Sequence, residues 1–299
     1  MADNKQVETT GHQWDDEEGF PLKEYNNPLP RWWLYSFYAT IIWSVIYWIL
    51  YPAWPLAQDY TKGLLGWSMH GQLQAELDQA EKLREPFLKQ LAATPLDQVS
   101  KDPKLLQFAR AGGKSIFGDN CAPCHRGGGE GGPGFPALVD DDWLYGGKLE
   151  TLVETITNGR QGQMPAHLDT AGGALKGNQV DDLTQFVLSL SNKATDKDAA
   201  KRGEELFKGE AGCQTCHGEH GKGSLKDTVA GAAIDHGIGA PNLTDGIWLY
   251  GGDAKTIRES IAKGRSGQMP AWGESAVRKL DPVSIRQVAL YVHTLGGGQ

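Results

Sequence analysis

The chain has 299 residues, which is enough for two domains or slightly more. Charged residues make up 22% of it and hydrophobic residues 39%, the balance of a folded soluble protein with a modest apolar insertion. The net charge of −8 excludes nucleic acid as the partner.

Residues 1–31 are polar and acidic, with 3 basic and 7 acidic groups. Four of the acidic groups form the run Asp15-Asp16-Glu17-Glu18. A signal peptide would start with a short basic region, so this segment is not one. We expect a mobile tail that ends at a membrane surface.

The next segment, from Trp32 to Tyr51, has 20 residues without a formal charge, the length of one helical membrane crossing. Trp and Tyr are concentrated at both of its ends, as is typical of side chains at the headgroup level. No small-residue cleavage site follows, so residues 32–52 are predicted to be an uncleaved transmembrane anchor. A stripe of small residues, Ser36, Thr40 and Ser44, either admits a neighbouring helix or bonds to its own backbone.

The orientation of this span follows from charge and from chemistry. Lys23 and Arg31 precede the span and Lys62 follows it, a weak positive-inside signal for a cytoplasmic N-terminus. The sequence C-x-x-C-H, the pattern for covalent attachment of haem c, occurs twice after the span, and such attachment takes place on the outer side of bacterial membranes. Both observations predict a single-pass protein of the bacterial inner membrane, with a cytoplasmic tail and everything after the span in the periplasm.

Residues 53–104 are a polar connector in which one helix is predicted, from Gln72 to Glu85. Pro86 is expected to end or kink that helix. The segment is interpreted as a stalk or a packing helix, without chemistry of its own.

From about Leu105 the chain repeats itself. Trp143-Leu144-Tyr145-Gly146-Gly147 returns 105 residues later as Trp248-Leu249-Tyr250-Gly251-Gly252. Apolar periodicity predicts three helices in each repeat. They are Leu105–Phe117, Leu149–Thr157 and Val180–Leu190 in the first repeat, and Ala199–Phe207, Ala254–Lys263 and Pro282–Leu295 in the second. The predicted fold class is all-α, with one N-terminal transmembrane helix and two tandem domains, 105–192 and 193–299.

Each repeat carries one C-x-x-C-H motif, the pattern for covalent attachment of a c-type haem. Residues three apart share one face of a helical turn, so both thiols can reach one porphyrin. The motif residues are Cys121, Cys124 and His125, and Cys213, Cys216 and His217. The alternatives are a thioredoxin-like redox pair, which needs no fixed His, and a zinc site, which needs a fourth ligand. The pattern therefore predicts two haems c, with His125 and His217 as proximal iron ligands.

Two methionines stand in matched octets, one after each haem motif. Met164 lies in Gly159–Ala166 and Met269 in Gly264–Ala271, again 105 residues apart. A single Met is usually core filler, but matched positions favour axial ligation, and Met/His is the usual cytochrome c pair. Met164 is expected on the haem of His125, and Met269 on the haem of His217. The competing ligands do not recur in both repeats: His167, His220, His236 and His293.

The first repeat is acidic, and its charge is concentrated in Asp140, Asp141 and Asp142. Residues 111–191 carry 5 basic and 10 acidic groups. One interpretation is simple solubility, and the other is a docking surface for a basic donor cytochrome c.

Two such domains behind one N-terminal span, with Asn26-Asn27-Pro28-Leu29-Pro30-Arg31-Trp32-Trp33 leading into it, resemble a known family. It is the dihaem cytochrome c subunit (subunit III, CcoP/FixP type) of cbb3-type cytochrome c oxidases. The resemblance covers essentially the whole chain. Some members of that family have a second span, whereas this sequence shows one.

The resemblance implies that the chain takes electrons from a soluble or membrane-bound donor cytochrome c. It would pass them to the monohaem cytochrome c subunit, and thence to the haem–copper catalytic subunit that reduces oxygen to water and pumps protons. The chain would have no catalytic residues of its own.

Cytochromes c in general further imply that the carbonyls of Pro136 and Pro241 accept the Nδ1 protons of the two ligand histidines. The alternative is that these prolines only shape the loop. Arg160 and Arg265, which recur beside the methionines, either pair with haem propionates or are solvated charges.

Two rival functions remain open at this stage. A dihaem peroxidase or sensor would need an iron without a stable sixth ligand, which the matched methionines disfavour. A dihaem electron carrier of another membrane oxidoreductase would share every motif.

Overall fold

The computed structural model describes residues 8–13 and 23–296. The acidic run Asp15–Glu18 lies outside the described residues. The chain is mostly helical, as predicted, with three small two-stranded sheets in addition. It divides into two units, one up to Leu83 and one from Arg84 onwards.

The first unit begins with a short antiparallel pair, β1 (Thr9–Gln13) and β2 (Lys23–Tyr25). The sequence predicted a mobile tail, whereas the structure pairs these two segments as antiparallel strands. Helix α1 (Arg31–Leu50) follows and buries none of its residues. Among the described residues it is the one helix long and apolar enough to cross a membrane.

The hydroxyl stripe on α1 bonds to the helix's own backbone. Ser36 Oγ donates to Trp32 O (2.9 Å), Thr40 Oγ1 to Phe37 O (2.7 Å), and Ser44 Oγ to Thr40 O (2.8 Å). These bonds satisfy the hydroxyls inside an apolar helix. They support the second interpretation of the stripe.

Helix α2 (Met69–Ala93) is longer than predicted and runs through Pro86. The expected break is absent because the segment beyond the proline is held by packing: Phe87 stacks on Phe108 at 5.0 Å, and Leu91 is fully buried. Tertiary packing offsets the backbone hydrogen bond that proline removes.

The second unit contains the two repeats. Its first half comprises α3 (Leu96–Val99), α4 (Pro103–Asn120), α5 (Ala122–His125), α6 (Leu149–Asn158), β3 (Arg160–Met164) and α7 (Gly177–Leu190). Its second half comprises α8 (Lys197–Lys208), α9 (Gln214–His217), β4 (Thr228–Val229), β5 (Ala232–Ala233), α10 (Ala254–Lys263), β6 (Arg265–Met269) and α11 (Pro282–His293). Each helix predicted in the repeats is present, within a few residues of its expected ends.

Aspartate caps begin four of these helices. Asp102, Asp196, Asp253 and Asp281 each accept backbone N–H bonds at the start of α4, α8, α10 and α11. These side chains satisfy amides that have no partner within the helix. Their positions in the sequence therefore fix where the helices start.

Each repeat contributes its last helix to the hydrophobic core formed by the earlier helices of the other repeat. In one core, α4 and α6 of the first repeat pack against α11, the last helix of the second. In the other, α8 and α10 of the second repeat pack against α7, the last helix of the first. The packing units therefore do not coincide with the contiguous domains 105–192 and 193–299, which describe the sequence repeat.

Two glycines let the exchanged helices cross at close range. A Cβ on Gly113 would collide with the backbone carbonyl of Gln287 in α11, and a Cβ on Gly203 would collide with that of Asp182 in α7. The two crossings are equivalent by the internal repeat. Small residues at both crossings thus permit backbone-to-backbone approach, and this holds each exchanged helix in place.

Candidate haem sites

The two C-x-x-C-H motifs form equivalent single helical turns, α5 and α9. His125 N donates to Cys121 O at 2.9 Å, and His217 N donates to Cys213 O at 3.0 Å. The first Cys of each motif packs against a hydrophobic core, Cys121 with the α4–α6–α11 core and Cys213 with the α7–α8–α10 core. The turn anchors the first thiol of each motif on its core and places the second thiol and the imidazole three and four residues further on, as the spacing predicts.

The histidine of each motif is oriented by a proline carbonyl. His125 Nδ1 lies 2.9 Å from Pro136 O, and His217 Nδ1 lies 3.1 Å from Pro241 O. A carbonyl can only accept, so Nδ1 carries the proton in both rings. Nε2 is then the unprotonated nitrogen, which is the state required of a metal ligand.

Burial shifts the titration of the motif residues. It raises the pKa of Cys121 and of Cys213 to about 11, with a further contribution from the second Cys of each motif. A thioredoxin-like pair needs a lowered thiol pKa, so the environment is the opposite of a redox-active one. Burial also lowers the pKa of His217, and this keeps the imidazole neutral.

The two methionine segments pair with each other. Strands β3 and β6 are antiparallel, with Arg160 opposite Met269, Gly162 opposite Gly267, and Met164 opposite Arg265. Side chains alternate between the two faces of a strand, so Arg160 and Met164, four positions apart, lie on the same face. Residues directly opposite each other also share a face, so Met269, opposite Arg160, lies on that face as well. Four residue steps along the ladder separate the two methionines, which corresponds to about 14 Å.

Each methionine of the ladder packs against the core that holds the C-x-x-C-H motif of the other repeat. Met164 packs against the core that holds Cys213, and Met269 packs against the core that holds Cys121. Two backbone hydrogen bonds also join the segment after each methionine to a helix of the other repeat: His167 N donates to Ile261 O (3.1 Å), and Trp272 N donates to Ile156 O (3.0 Å). This differs from the expected pairing of His125 with Met164 and His217 with Met269. The reason is the exchange of helices, which carries the methionine segments with it.

The other histidines have different surroundings. His167 is half-buried, burial lowers its pKa, and it is close enough to His217 to lower that pKa as well. His220 is exposed, and its Nδ1 lies 3.1 Å from Asp227 Oδ1. Asp227 also accepts hydrogen bonds from the backbone amides of His220, Lys222 and Thr228. Burial raises the pKa of Asp227, but these hydrogen bonds and that from the His220 side chain outweigh the effect and bring it to about 2.

Arg160 and Arg265 have matched surroundings that the sequence did not reveal. The guanidinium of Arg160 lies over the ring of Tyr145 at 4.8 Å, and that of Arg265 lies over Tyr250 at 4.4 Å. Such stacks hold the cation in a fixed place beside the neighbouring strand. Both tyrosines lie in the repeated Trp-Leu-Tyr-Gly-Gly segment, so their recurrence is visible in the sequence. The segment alone does not indicate that they stack on the arginines.

One buried donor indicates that the second site holds an additional acceptor. Trp248 Nε1 is buried without a hydrogen-bond partner among the described residues, and the ring packs against the same core as Met164 and Cys213. Its counterpart Trp143 Nε1 donates to Asp140 O at 3.1 Å. A buried N–H normally has a partner, and a haem propionate is an acceptor that would suit this donor. The residues present therefore fit a haem.

The aspartate triplet is part of a turn. Asp142 N donates to Asp140 Oδ1 at 3.2 Å, and only Asp141 is fully exposed. Burial raises the pKa of Asp140, and burial together with Asp245 raises the pKa of Asp142 to about 6, although Lys226 opposes the shift. The triplet thus has a structural role as well as a negative charge.

Comparisons with known proteins agree with this geometry. A model of the N-terminal domain of cytochrome oxidase-cbb3, FixP, matches residues 6–58. A model of cytochrome c oxidase, cbb3-type, subunit III matches residues 109–187 and 198–292.

Curated relatives match over nearly their full length. The cbb3-type cytochrome c oxidase subunit FixP of Azorhizobium caulinodans is 48% identical, with 97% of this chain and 94% of the relative covered. The subunit CcoP of Azospirillum brasilense is 43% identical (98% and 96%), and that of Rhodobacter capsulatus is 42% identical (99% and 97%).

Proposed function

Because the chain belongs to the family of subunit III of cbb3-type cytochrome c oxidases, we propose that each of its two C-x-x-C-H motifs carries one covalently bound haem c. The chain is a cytochrome c electron-transfer subunit of this oxidase, and the two rival functions are not favoured. Bound haem c supplies a one-electron ferric/ferrous couple.

The proposal assigns crossed axial pairs. His125 and Met269 belong to the first haem, and His217 and Met164 belong to the second. The observation that carries this assignment is the packing of each methionine against the core of the opposite motif. The thiols Cys121, Cys124, Cys213 and Cys216 form the covalent attachments.

The surrounding residues hold these ligands in place. The carbonyls of Pro136 and Pro241 fix the ring planes of the histidines through the Nδ1 bonds. Arg160 and Arg265, stacked on their tyrosines, would compensate propionate charge, and Trp248 Nε1 would donate to a propionate of the second haem.

The partners and the location follow from the family and the span. The chain is a membrane-anchored oxidase subunit that works with other oxidase subunits. We assign it to the bacterial inner membrane, with the N-terminus in the cytoplasm and both haems in the periplasm. Electrons arrive from a donor cytochrome c and leave to the monohaem subunit and the haem–copper catalytic subunit.

A haem count and two matched variants test the crossed assignment. The full chain should bind two haems c by pyridine haemochrome. In a chain with Cys121→Ser and Cys124→Ser, only the second haem remains. There, Met164→Leu should abolish the sulfur–iron charge-transfer band, whereas Met269→Leu should leave it unchanged. The reverse result would restore the pairing within each repeat, and a count of one haem would contradict the proposal as a whole.

A further inference from the structure

Arg160 and Arg265 are matched in nearly every contact. Arg160 Nε donates to Thr155 Oγ1 at 3.0 Å, and Arg265 Nε donates to Ser260 Oγ at 2.9 Å. Each guanidinium is stacked on the tyrosine of its own repeat, and each arginine lies directly opposite a methionine of the other strand. A difference in their remaining contacts is therefore a difference between the two sites.

The difference is one ion pair. Arg160 Nη1 lies 3.2 Å from Glu154 Oε1. The equivalent carboxylate in the second repeat is Glu259, and it pairs instead with Lys263 Nζ at 3.3 Å. The first repeat has the neutral Asn158 at the position of Lys263. Glu154 thus neutralises the cation beside Met269, whereas the cation beside Met164 keeps its charge.

A fixed positive charge close to a haem iron favours the reduced state, because reduction removes one positive charge from the iron. The side chain of Arg160 is 19% exposed and that of Glu154 is 56% exposed, so the arginine end of the pair is shielded from water while the carboxylate end is solvated. Resting on the crossed ligation proposed above, we propose that Glu154 lowers the midpoint potential of the first haem relative to the second. Glu154 is thereby an electrostatic tuning residue that touches neither ligand.

The consequence is a direction of electron flow. An electron that enters at the first haem moves to the second at higher potential, so the first motif is the entry site. The acidic triplet Asp140–Asp142 directly precedes Trp143, which packs against the core that holds Cys121, so its negative charge acts in the same sense as Glu154.

Equilibrium redox titration of the full chain in detergent, followed by haem absorbance, tests this inference. Met269→Leu identifies the couple of the first haem, since it should move that couple strongly. Glu154→Gln should raise the midpoint of the same couple and narrow the gap between the two. Glu150→Gln is the matched control, because it removes the same charge from an exposed position on the same helix, α6.

A second variant makes the test independent of the first. Lys263→Asn recreates the first repeat's arrangement in the second, and it should free Glu259 to pair with Arg265. The couple that Met164→Leu moves should then fall. The inference is overturned if Glu154→Gln shifts the first couple no more than Glu150→Gln does, or if it moves the other couple. A chain with one haem, or with couples that neither methionine variant moves, would overturn the proposed function as well.

Discussion

Met164 lies directly opposite Arg265 in the antiparallel ladder of β3 and β6, and Met269 lies opposite Arg160 in the same ladder. Each methionine therefore has as its nearest cross-strand neighbour a cation from the repeat whose core it enters. A shift in the register of this ladder would move both methionines at once. The two candidate haem sites are in this sense parts of one structure.

The helix crossings at Gly113 and Gly203 predict a steep cost for added volume. Gly113→Ala and Gly203→Ala should each lower the free energy of unfolding by about 1–3 kcal/mol, because the new Cβ meets a carbonyl of the exchanged helix. Denaturant unfolding followed by circular dichroism measures the effect.

Gly118 in α4 supplies the control for these variants. Nothing lies within 4 Å of a Cβ at that position, so Gly118→Ala should stabilise the helix by about 0.5–1 kcal/mol. A comparable loss at Gly118 would contradict the argument from the crossings.

The unpartnered donor of Trp248 predicts an asymmetry between the haems. Trp248→Phe should lower the midpoint potential of the second haem, because a propionate would lose its donor. Trp143→Phe should instead cost about 1 kcal/mol of stability through the lost bond to Asp140 O and leave the first potential nearly unchanged. Redox titration beside thermal unfolding separates the two effects, and equal shifts in potential would contradict the assignment.

The packing of α2 and α3 predicts where the chain can be shortened. A chain that starts at Arg84 should be soluble and fold with both haems, since it lacks α1 and keeps the buried Leu91, Leu96 and Val99. A start at Leu105 removes these three side chains and should cost roughly 5 kcal/mol or more. Equal unfolding midpoints for the two chains would show that the three residues contribute little.

The raised pKa of Asp142 predicts a pH dependence of stability. Its ordinary value is 3.8, and burial raises it to about 6 in the folded chain. Between these values the folded chain binds more protons than the unfolded chain, so stability falls as pH rises from about 4 to 6 and is flat above. Asp142→Asn should remove this slope and stabilise the protein at pH 7 by on the order of 1 kcal/mol, after allowance for solvent screening.

Asp141→Asn is the control for this slope, since it removes an exposed charge from the same run. Unfolding at pH 4.5 and 7.5 gives the comparison. A wild-type slope that survives in Asp142→Asn would show that another group is responsible.

The docking hypothesis gives a kinetic prediction. Replacing Asp140, Asp141 and Asp142 together with Asn should slow oxidation of a basic donor cytochrome c at low ionic strength. Above the salt range where charges are screened, the rate should match that of the wild type. Stopped-flow measurements over a salt series check this, with the redox potentials of both haems as the control. An unchanged rate at low salt would contradict the docking hypothesis and leave the triplet only its structural role in the turn.

The sequence predicted the helices well, because the period of apolar residues and the aspartate caps are local signals. It also predicted the His–Pro bonds, through the resemblance. It could not predict the exchange of α7 and α11. Periodicity shows which face of a helix is buried, but not which helix covers it. The two repeats offer equivalent partners, so the contacts at Gly113 and Gly203 satisfy the pattern in either arrangement.

The crossed Met pairing that we propose has no signal in the sequence for the same reason, since order along the chain is the only guide there. The ion pair of Glu154 with Arg160 could not be predicted from the sequence. It depends on the neutral Asn158, which stands in the first repeat where the second repeat has Lys263. Only the side-chain positions show that Lys263 draws Glu259 away in one repeat and that nothing does so in the other.

The exchange of α7 and α11 also sets the order in which the sites can mature. Synthesis runs from the N-terminus, and the core around the second motif needs nothing beyond α10, which ends at Lys263. The core around the first motif waits for α11, which ends at His293. The motif that is made first is therefore enclosed last. Its cysteines stay outside a completed core until almost the whole chain has been made.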